Sequence, residues 1–241
     1  MIFSIGLNIA MVLVIIWLIV RLRAAPNKAM AALFDLFMRD ARENRLRWFT
    51  TMNRYAPHGG HVFIGDSLIE EYQLTECFPD KAVMNRGIGG DNTTGLLSRL
   101  ECSVFDLKPQ QVFILIGTND IELGIYDDQQ IAENILTVVN TIKEQLPTVH
   151  IHVIKLLPVS LGSAAHIDLK TVGRRHPDRI QAVNMHLETL LAGMDRLTLH
   201  DFTLQLADSR GYLQDAYTRE GLHLTPLAYE VITEAIQPYL H

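Results

Sequence analysis

The sequence is poor in cysteine: among 241 residues only Cys77 and Cys102 occur, at a spacing that matches no metal-binding pattern. A disulfide framework and a structural zinc site are therefore excluded, and two buried thiols are expected. Nor is there an excess of positive charge, since 27 acidic residues against 21 basic ones give a formal net charge of -6. Without a basic face there is no electrostatic footprint for DNA or RNA, so nucleic acid is not an expected partner. Internal repeats and low-complexity tracts are missing as well. Charged residues make up 20% and hydrophobic ones 48%, the balance of a globular chain long enough for one full core after an N-terminal segment is set aside. Of the ten histidines, His150 and His152 alternate on one face of an expected strand. No third ligand lies near them in sequence, so they read as the polar opening of a half-exposed strand, and neither a metal nor a cofactor is expected.

What the sequence does have is a long apolar start. Residues 2–20, IFSIGLNIAMVLVIIWLIV, carry no charge and would span about 28 Å as a helix, the thickness of a hydrocarbon core. The first basic residues, Arg21 and Arg23, come after this run, whereas a cleaved signal peptide would carry them before it. An uncleaved membrane anchor over residues 1–23 is expected. Lys28, Arg39, Arg42, Arg45 and Arg47 extend the positive flank, which favours a cytoplasmic location for the rest of the chain, with the exported side as the competing topology. Residues 24–57 combine Leu33, Phe34, Phe37, Ala41 and Trp48 with many charges, as an amphipathic juxtamembrane helix would. The main domain is then expected over residues 58–241.

Within that domain short apolar runs recur at His61 to Ile64, Ala82 to Met84, Gln111 to Ile116, His150 to Leu157 and Arg196 to His200. Helical patterns lie between them, around Ser67 to Tyr72, Thr93 to Val104, Asp127 to Gln145 and Asp178 to Leu191, with a last helix from Pro226 to Leu240 capped by Thr225. Alternation of this kind predicts an α/β fold with a central parallel sheet covered on both faces. Ligands of such sheets bind beyond the carboxyl ends of the strands. The first three runs lead into Gly65-Asp66-Ser67, RGIGGDN and Gly117-Thr118-Asn119-Asp120, which gathers small and polar groups at one sheet edge. The irregular stretch Val159 to Pro177 is placed to form a rim or lid there.

Ser67 admits two readings. With Glu70 three positions later it spells a capping box at a helix start. It could also be a nucleophile, which needs a base, a group that orients the base, and donors for the developing oxyanion. The sequence offers a candidate for each part: His223 as base, Glu220 to orient it, and the amides of Ser67 and Gly90 with the side chain of Asn119 as oxyanion donors. Each candidate alone has an ordinary reading as a turn or loop residue.

Taken together and in this order, VFIGDSL, NRGIGGDNTTGLLSRL, ILIGTND and EGLHLTPLAY resemble the blocks of the GDSL, or SGNH, hydrolase family. Their wording is similar to that of its intracellular platelet-activating factor acetylhydrolase branch. The resemblance covers the chain from about His61 onward and implies a flavodoxin-like three-layer α/β/α fold and a metal-free serine esterase. It also implies catalytic Ser67 and His223, and an oxyanion hole of Ser67, Gly90 and Asn119. The family's last block is usually Asp-x-x-His, whereas this chain has Glu220-Gly221-Leu222-His223. Glu220 is expected as the third triad member, provided that its extra methylene is accommodated. Asn92 stands where threonine is common after GGD, and either residue serves near a helix start. With an anchor, the expected substrate is a lipid-derived ester, either a lysophospholipid or a short acyl ester. A carbohydrate O-acetylesterase is the alternative enzyme, and a catalytically silent membrane-tethered binding domain the alternative without chemistry. Arg174 and Arg175, in the lid stretch, read as solvated loop residues.

Overall fold

The computed structural model of the protein describes residues 30, 32–33 and 36–240. The expected anchor, residues 1–23, lies outside the described residues; among the described residues no helix is long and apolar enough to cross a membrane. Residues 36–52 are helical (α1), and Leu46–His241 forms one compact unit. Phe49 and Asn53 are buried within that unit. The Arg86 guanidinium lies over the Phe49 ring and donates to Asn53 Oδ1 at 2.8 Å.

Five strands occur where the apolar runs predict them: β1 His61–Gly65, β2 Val83–Gly87, β3 Gln111–Leu115, β4 His150–Ile154 and β5 Leu197–His200. They form one sheet in the order β2-β1-β3-β4-β5, and every pair is parallel. The remaining helices are α2 Ser67–Glu70, α3 Leu74–Cys77, α4 Thr93–Leu97, α5 Leu100–Ser103, α6 Thr118–Leu123, α7 Asp128–Gln145, α8 Leu169–Val172, α9 Pro177–Leu191, α10 Thr203–Leu206 and α11 Pro226–Ile236.

Side chains alternate across the strands, so each sheet face has its own core. On one face Val62, Ile64, Val112, Ile114, Ile151 and Val153 pack with α7 and α9 residues such as Ile135, Val139, Val183 and Leu187. On the other Phe63, Phe113 and Ile154 pack with Tyr229, Ile232 and Ile236 of α11. Burial of both faces explains why the strands read as nearly continuous apolar runs rather than as alternating ones.

The second face corrects the reading of the histidine pair. His150 and His152 do share a face, but it is a covered one: His152 is buried and stacks on Phe113 with ring centroids 4.2 Å apart. Its Nδ1 lies 2.9 Å from His200 Nε2, so the polar atoms of the two rings meet inside the core. Both cysteines are free and half-buried rather than buried.

Three helix and strand ends also depart from expectation, each for a local reason. The helix predicted over Thr93 to Val104 breaks at Ser98-Arg99 into α4 and α5, because Arg99 turns inward and is 3% exposed. β4 stops at Ile154 because Asn184 of α9 takes over the backbone, with its amide bonding both the N–H and the carbonyl of Leu156 at 2.9 Å. α11 gives way to a 3-10 turn at Gln237–Tyr239, where Pro238 has no N–H to continue the α-helical ladder.

Candidate active site

The carboxyl ends of β1 and β3 lie side by side in the sheet, with β2 on the far side of β1. The chain order reverses there, which leaves a crevice between the loops after β1 and β3. Ser67 opens α2 immediately after β1, and Asn119 lies in α6 after β3.

The cap of α2 is not Ser67 but Asp66, whose Oδ1 accepts the Leu68 N–H at 3.0 Å. The capping box read from Ser67 and Glu70 does not form. Glu70 instead reaches out of the helix and accepts the Gly89 N–H through Oε2 at 2.6 Å. The serine hydroxyl is thereby released from structural duty and lies 3.0 Å from His223 Nε2.

His223 is placed by the loop before α11. Glu220 Oε1 accepts from His223 Nδ1 and also from the His223 backbone N–H, the latter at 3.1 Å. With its proton held on Nδ1 by the carboxylate, the imidazole turns the Nε2 lone pair toward the Ser67 hydroxyl. Gly221 permits this reach. It adopts φ +112°, and a Cβ there would lie 2.7 Å from Val172 Cγ2 and 3.0 Å from Ser160 O. The Thr218 hydroxyl closes the same loop, accepting the Gly221 N–H at 2.8 Å and donating to His223 O at 2.9 Å. The lid stretch pairs with it through Ser160 N–H to Gly221 O and Asp168 N–H to Glu220 O, each 2.8 Å. Tyr229 of α11 donates to Leu68 O at 2.8 Å, which ties the helix after His223 to the helix that carries Ser67. Thr225 stands at the α11 N-cap position, yet its hydroxyl donates to Ala216 O at 2.8 Å instead of capping.

The turn after β2 brings up the glycine pair. Asp91 N–H bonds Ile88 O at 3.1 Å with Gly90 at φ +75°, a turn whose third residue needs a positive φ. A Cβ on Gly89 would lie 3.9 Å from Ser67 Cβ, so this turn flanks the serine. Gly89 donates its N–H to Glu70, whereas Gly90 beside it is exposed. Asn92 caps α4 by accepting the Gly95 N–H at 2.8 Å, the role expected for either asparagine or threonine.

Asn119 Nδ2 donates to Asp91 O at 2.9 Å, and Asn119 Oδ1 accepts from Arg175 Nη2 at 2.8 Å. Arg175 is thus not a solvated loop residue: it is 6% exposed. Arg174 remains exposed. Beneath the crevice sit three buried carboxylates, Asp66, Asp91 and Asp120. Asp91 pairs with Arg99 Nε at 2.6 Å, and Arg99 also donates to Gly65 O and Arg86 O, clamping the ends of β1 and β2 to the glycine turn. Asp120 accepts from the Thr93 hydroxyl and amide, and desolvation raises its pKa. Burial pushes Asp66 up from 3.8 to about 7, opposed by the Leu68 amide and by the charge of Arg175.

His223 therefore contacts both Ser67 and Glu220, with Gly90 on the turn after β2 and Asn119 in the first turn of α6. Asp66 as the cap, the Glu70–Gly89 bond and Arg175 were missed from sequence. Asp66 had a signal, since aspartate caps as well as serine does. Arg175 had none, because nothing local links it to a residue 56 positions away. A separate cavity of about 670 Å³, lined by Lys155, Asn184, Glu188, Asp201 and Tyr212 among others, opens between α9 and the loop after β5. It contains none of these groups, so side-chain chemistry rather than cavity size locates the site.

Comparison with known proteins identifies the family of the chain. The model of the GDSL-like lipase/acylhydrolase family matches residues 49–231. Platelet-activating factor acetylhydrolase IB subunit alpha1 of Pongo abelii is 27% identical over 208 residues, covering 80% of this chain and 83% of that protein. A solved structure from Streptococcus pneumonia, provisionally designated a platelet activating factor, superposes with a TM-score of 0.80 at 27% identity, over 88% of this chain and 99% of the other. A GDSL-like lipase from Bacteroides thetaiotaomicron shares the fold, with a TM-score of 0.69 at 22% identity over 81% and 96% of the two chains. The chain belongs to the GDSL-like lipase/acylhydrolase family and is a carboxylic ester hydrolase.

Proposed function

We propose that the protein cleaves lipid-derived carboxylic esters, a lysophospholipid or a short acyl ester, through an acyl-enzyme on Ser67. One observation carries the reading: Ser67 Oγ lies 3.0 Å from an imidazole whose other nitrogen faces the Glu220 carboxylate. In the first half-reaction the Ser67 Oγ–H proton passes to His223 Nε2 as Oγ bonds the ester carbonyl carbon. The oxyanion so formed is held by the amides of Ser67 and Gly90 and by Asn119 Nδ2, and Glu220 stabilises the imidazolium. Collapse breaks the bond to the alkoxy oxygen, which takes the proton from His223. Water then repeats the sequence on the acyl-serine, releasing the carboxylic acid and regenerating the hydroxyl.

The strand order β2-β1-β3-β4-β5 supports the flavodoxin-like three-layer class. The acetylhydrolase name of the Pongo abelii relative supports a short acyl group. Exposed Leu123, Ile125 and Leu169, on the two segments that flank Arg175, support an apolar substrate. The apolar residues 2–20 serve as a single-pass anchor in this reading, and the basic residues after them put the hydrolase on the cytoplasmic side.

A fluorophosphonate should label the wild-type protein and fail on Ser67→Ala; absence of label on folded wild type overturns the nucleophile. Substrate class is tested with p-nitrophenyl esters of rising chain length, lysophospholipids and acetylated sugars. Turnover of acetylated sugars alone would move the assignment to a carbohydrate O-acetylesterase. Activity of an exported-only reporter fused at the C-terminus would overturn the cytoplasmic location.

A further inference from the structure

We propose that Arg175 is a positioning residue of the ester hydrolysis: from the stretch that borders the crevice, its guanidinium fixes the Asn119 side-chain amide in the orientation that presents an N–H to the oxyanion. The proposal rests on the role given to Asn119 above.

A primary amide is nearly symmetric in shape but not in chemistry. Turned by half a rotation, it would aim a carbonyl oxygen at the negative charge it should stabilise. Two neighbours remove that ambiguity. A guanidinium has only donors, so Arg175 Nη2, at 2.8 Å, can face only Asn119 Oδ1. The Asp91 carbonyl only accepts, so at 2.9 Å it takes one hydrogen of Nδ2. The second Nδ2 hydrogen has no protein acceptor among the described residues and is the one available to substrate. A charged donor on Oδ1 also polarises the amide, strengthening its remaining N–H in a site of low dielectric.

Arg175 is itself held rigidly. Nε donates to Thr118 O at 3.2 Å, and Nη1 to Glu122 Oε2 at 3.2 Å, Thr171 O at 3.0 Å and Val172 O at 3.2 Å. The fork thus spans two adjacent residues of α6, Thr118 and Asn119, while its other edge closes the end of α8. Lysine, with a single charged nitrogen, lacks the planar fork needed to serve both. These same bonds raise the competing explanation, that Arg175 merely fastens α8 to α6. That role would act independently of Asn119.

A double-mutant cycle separates the two. kcat and KM for p-nitrophenyl acetate are measured in wild type, Asn119→Ala, Arg175→Met, Arg175→Lys and the Asn119→Ala/Arg175→Met double variant. Loss of one oxyanion donor costs about 100-fold to 1000-fold in kcat. Arg175→Met is expected to lower kcat by at least about tenfold with KM changed less than about twofold, and Arg175→Lys to fall between it and wild type. In the Asn119→Ala background Arg175→Met is expected to cost nothing further. Equal losses in the two backgrounds, or a loss confined to KM, would overturn the proposal. If Arg175→Met fails to fold by circular dichroism, Arg175→Lys and its double variant with Asn119→Ala are judged by the same criterion. A wild-type kcat in Asn119→Ala removes the role of Asn119 and the proposal with it; a fall in Asn119→Ala with additive losses removes the proposal alone.

Discussion

Glu70 and Gly89 are joined by a 2.6 Å hydrogen bond from the glycine amide to the carboxylate, so the turn that presents Gly90 is fastened to the helix that presents Ser67. The Ser67 helix and the glycine turn after β2 are thus held in register by a side chain outside the Ser67–His223–Glu220 hydrogen bonds. Replacing it with alanine strands a half-buried amide, at a cost of about 1–3 kcal/mol. Glu70→Ala is therefore expected to lower the urea midpoint. As the Gly90 amide loses its fixed position, kcat should fall by about tenfold, part of the loss seen when an oxyanion donor is removed outright. Unchanged kcat in a destabilised variant would confine Glu70 to structural work.

Glu220 departs from the family's aspartate, and the structure gives its extra methylene a place. One carboxylate oxygen meets both the ring and the backbone nitrogen of His223, in a loop that turns at the positive φ of Gly221. Glu220→Gln keeps the shape but offers an amide, which supports the wrong imidazole tautomer. The expected loss in kcat approaches about four powers of ten, with folding and KM preserved. Wild-type turnover would show that another group orients His223.

Much of this site was legible in the sequence because strand ends are. Apolar runs located β1, β2 and β3, and the small and polar residues after them had to fall at one sheet edge once the sheet was parallel. His223 was legible through the Thr225-Pro226 start of the next helix. The rest was illegible because it depends on long-range pairing. The Ser67–Glu70 spacing satisfies the capping-box rule, but Asp66 one residue earlier competes for the same amides and wins. His150 and His152 look like a solvent-facing pair because nothing in their own strand reveals that α11 covers that face. Arg175 resembles any charged loop residue until α6 is folded against it.

Asp66 gives stability a pH dependence of defined sign. Burial raises its pKa from 3.8 to about 7, so the native state keeps a proton that the unfolded chain releases. The stability contributed by the neutral acid is complete below about pH 4 and is lost as pH rises through 7. Within that window each pH unit removes up to about 1.4 kcal/mol. Asp66→Asn can still cap α2 but cannot ionise. The difference in unfolding free energy between variant and wild type, measured by urea titration from pH 4 to 8, is expected to move in favour of the variant as pH rises. A difference flat in pH would mean that Asp66 is not buried as the acid.

His200 tilts the profile the other way, and that makes single variants necessary. Desolvation, reinforced by the charge of His150, depresses its pKa from 6.5 to about 4. Its ring lies against His152, Tyr239 and Phe202, a setting that stabilises only the neutral imidazole. Its contribution is therefore present above pH 6.5 and is lost as pH falls through 4, where the unfolded chain takes up the proton first. Between pH 4 and 6.5 Asp66 and His200 oppose each other, and the wild-type curve can look nearly flat while both groups are strongly coupled to folding. His200→Gln removes the titrating imidazole while leaving a polar partner for His152. Its unfolding free energy is expected to fall with rising pH more steeply than that of wild type across this window, whereas Asp66→Asn falls with decreasing pH more steeply than wild type. Parallel curves for all three proteins would show that neither burial couples to protonation.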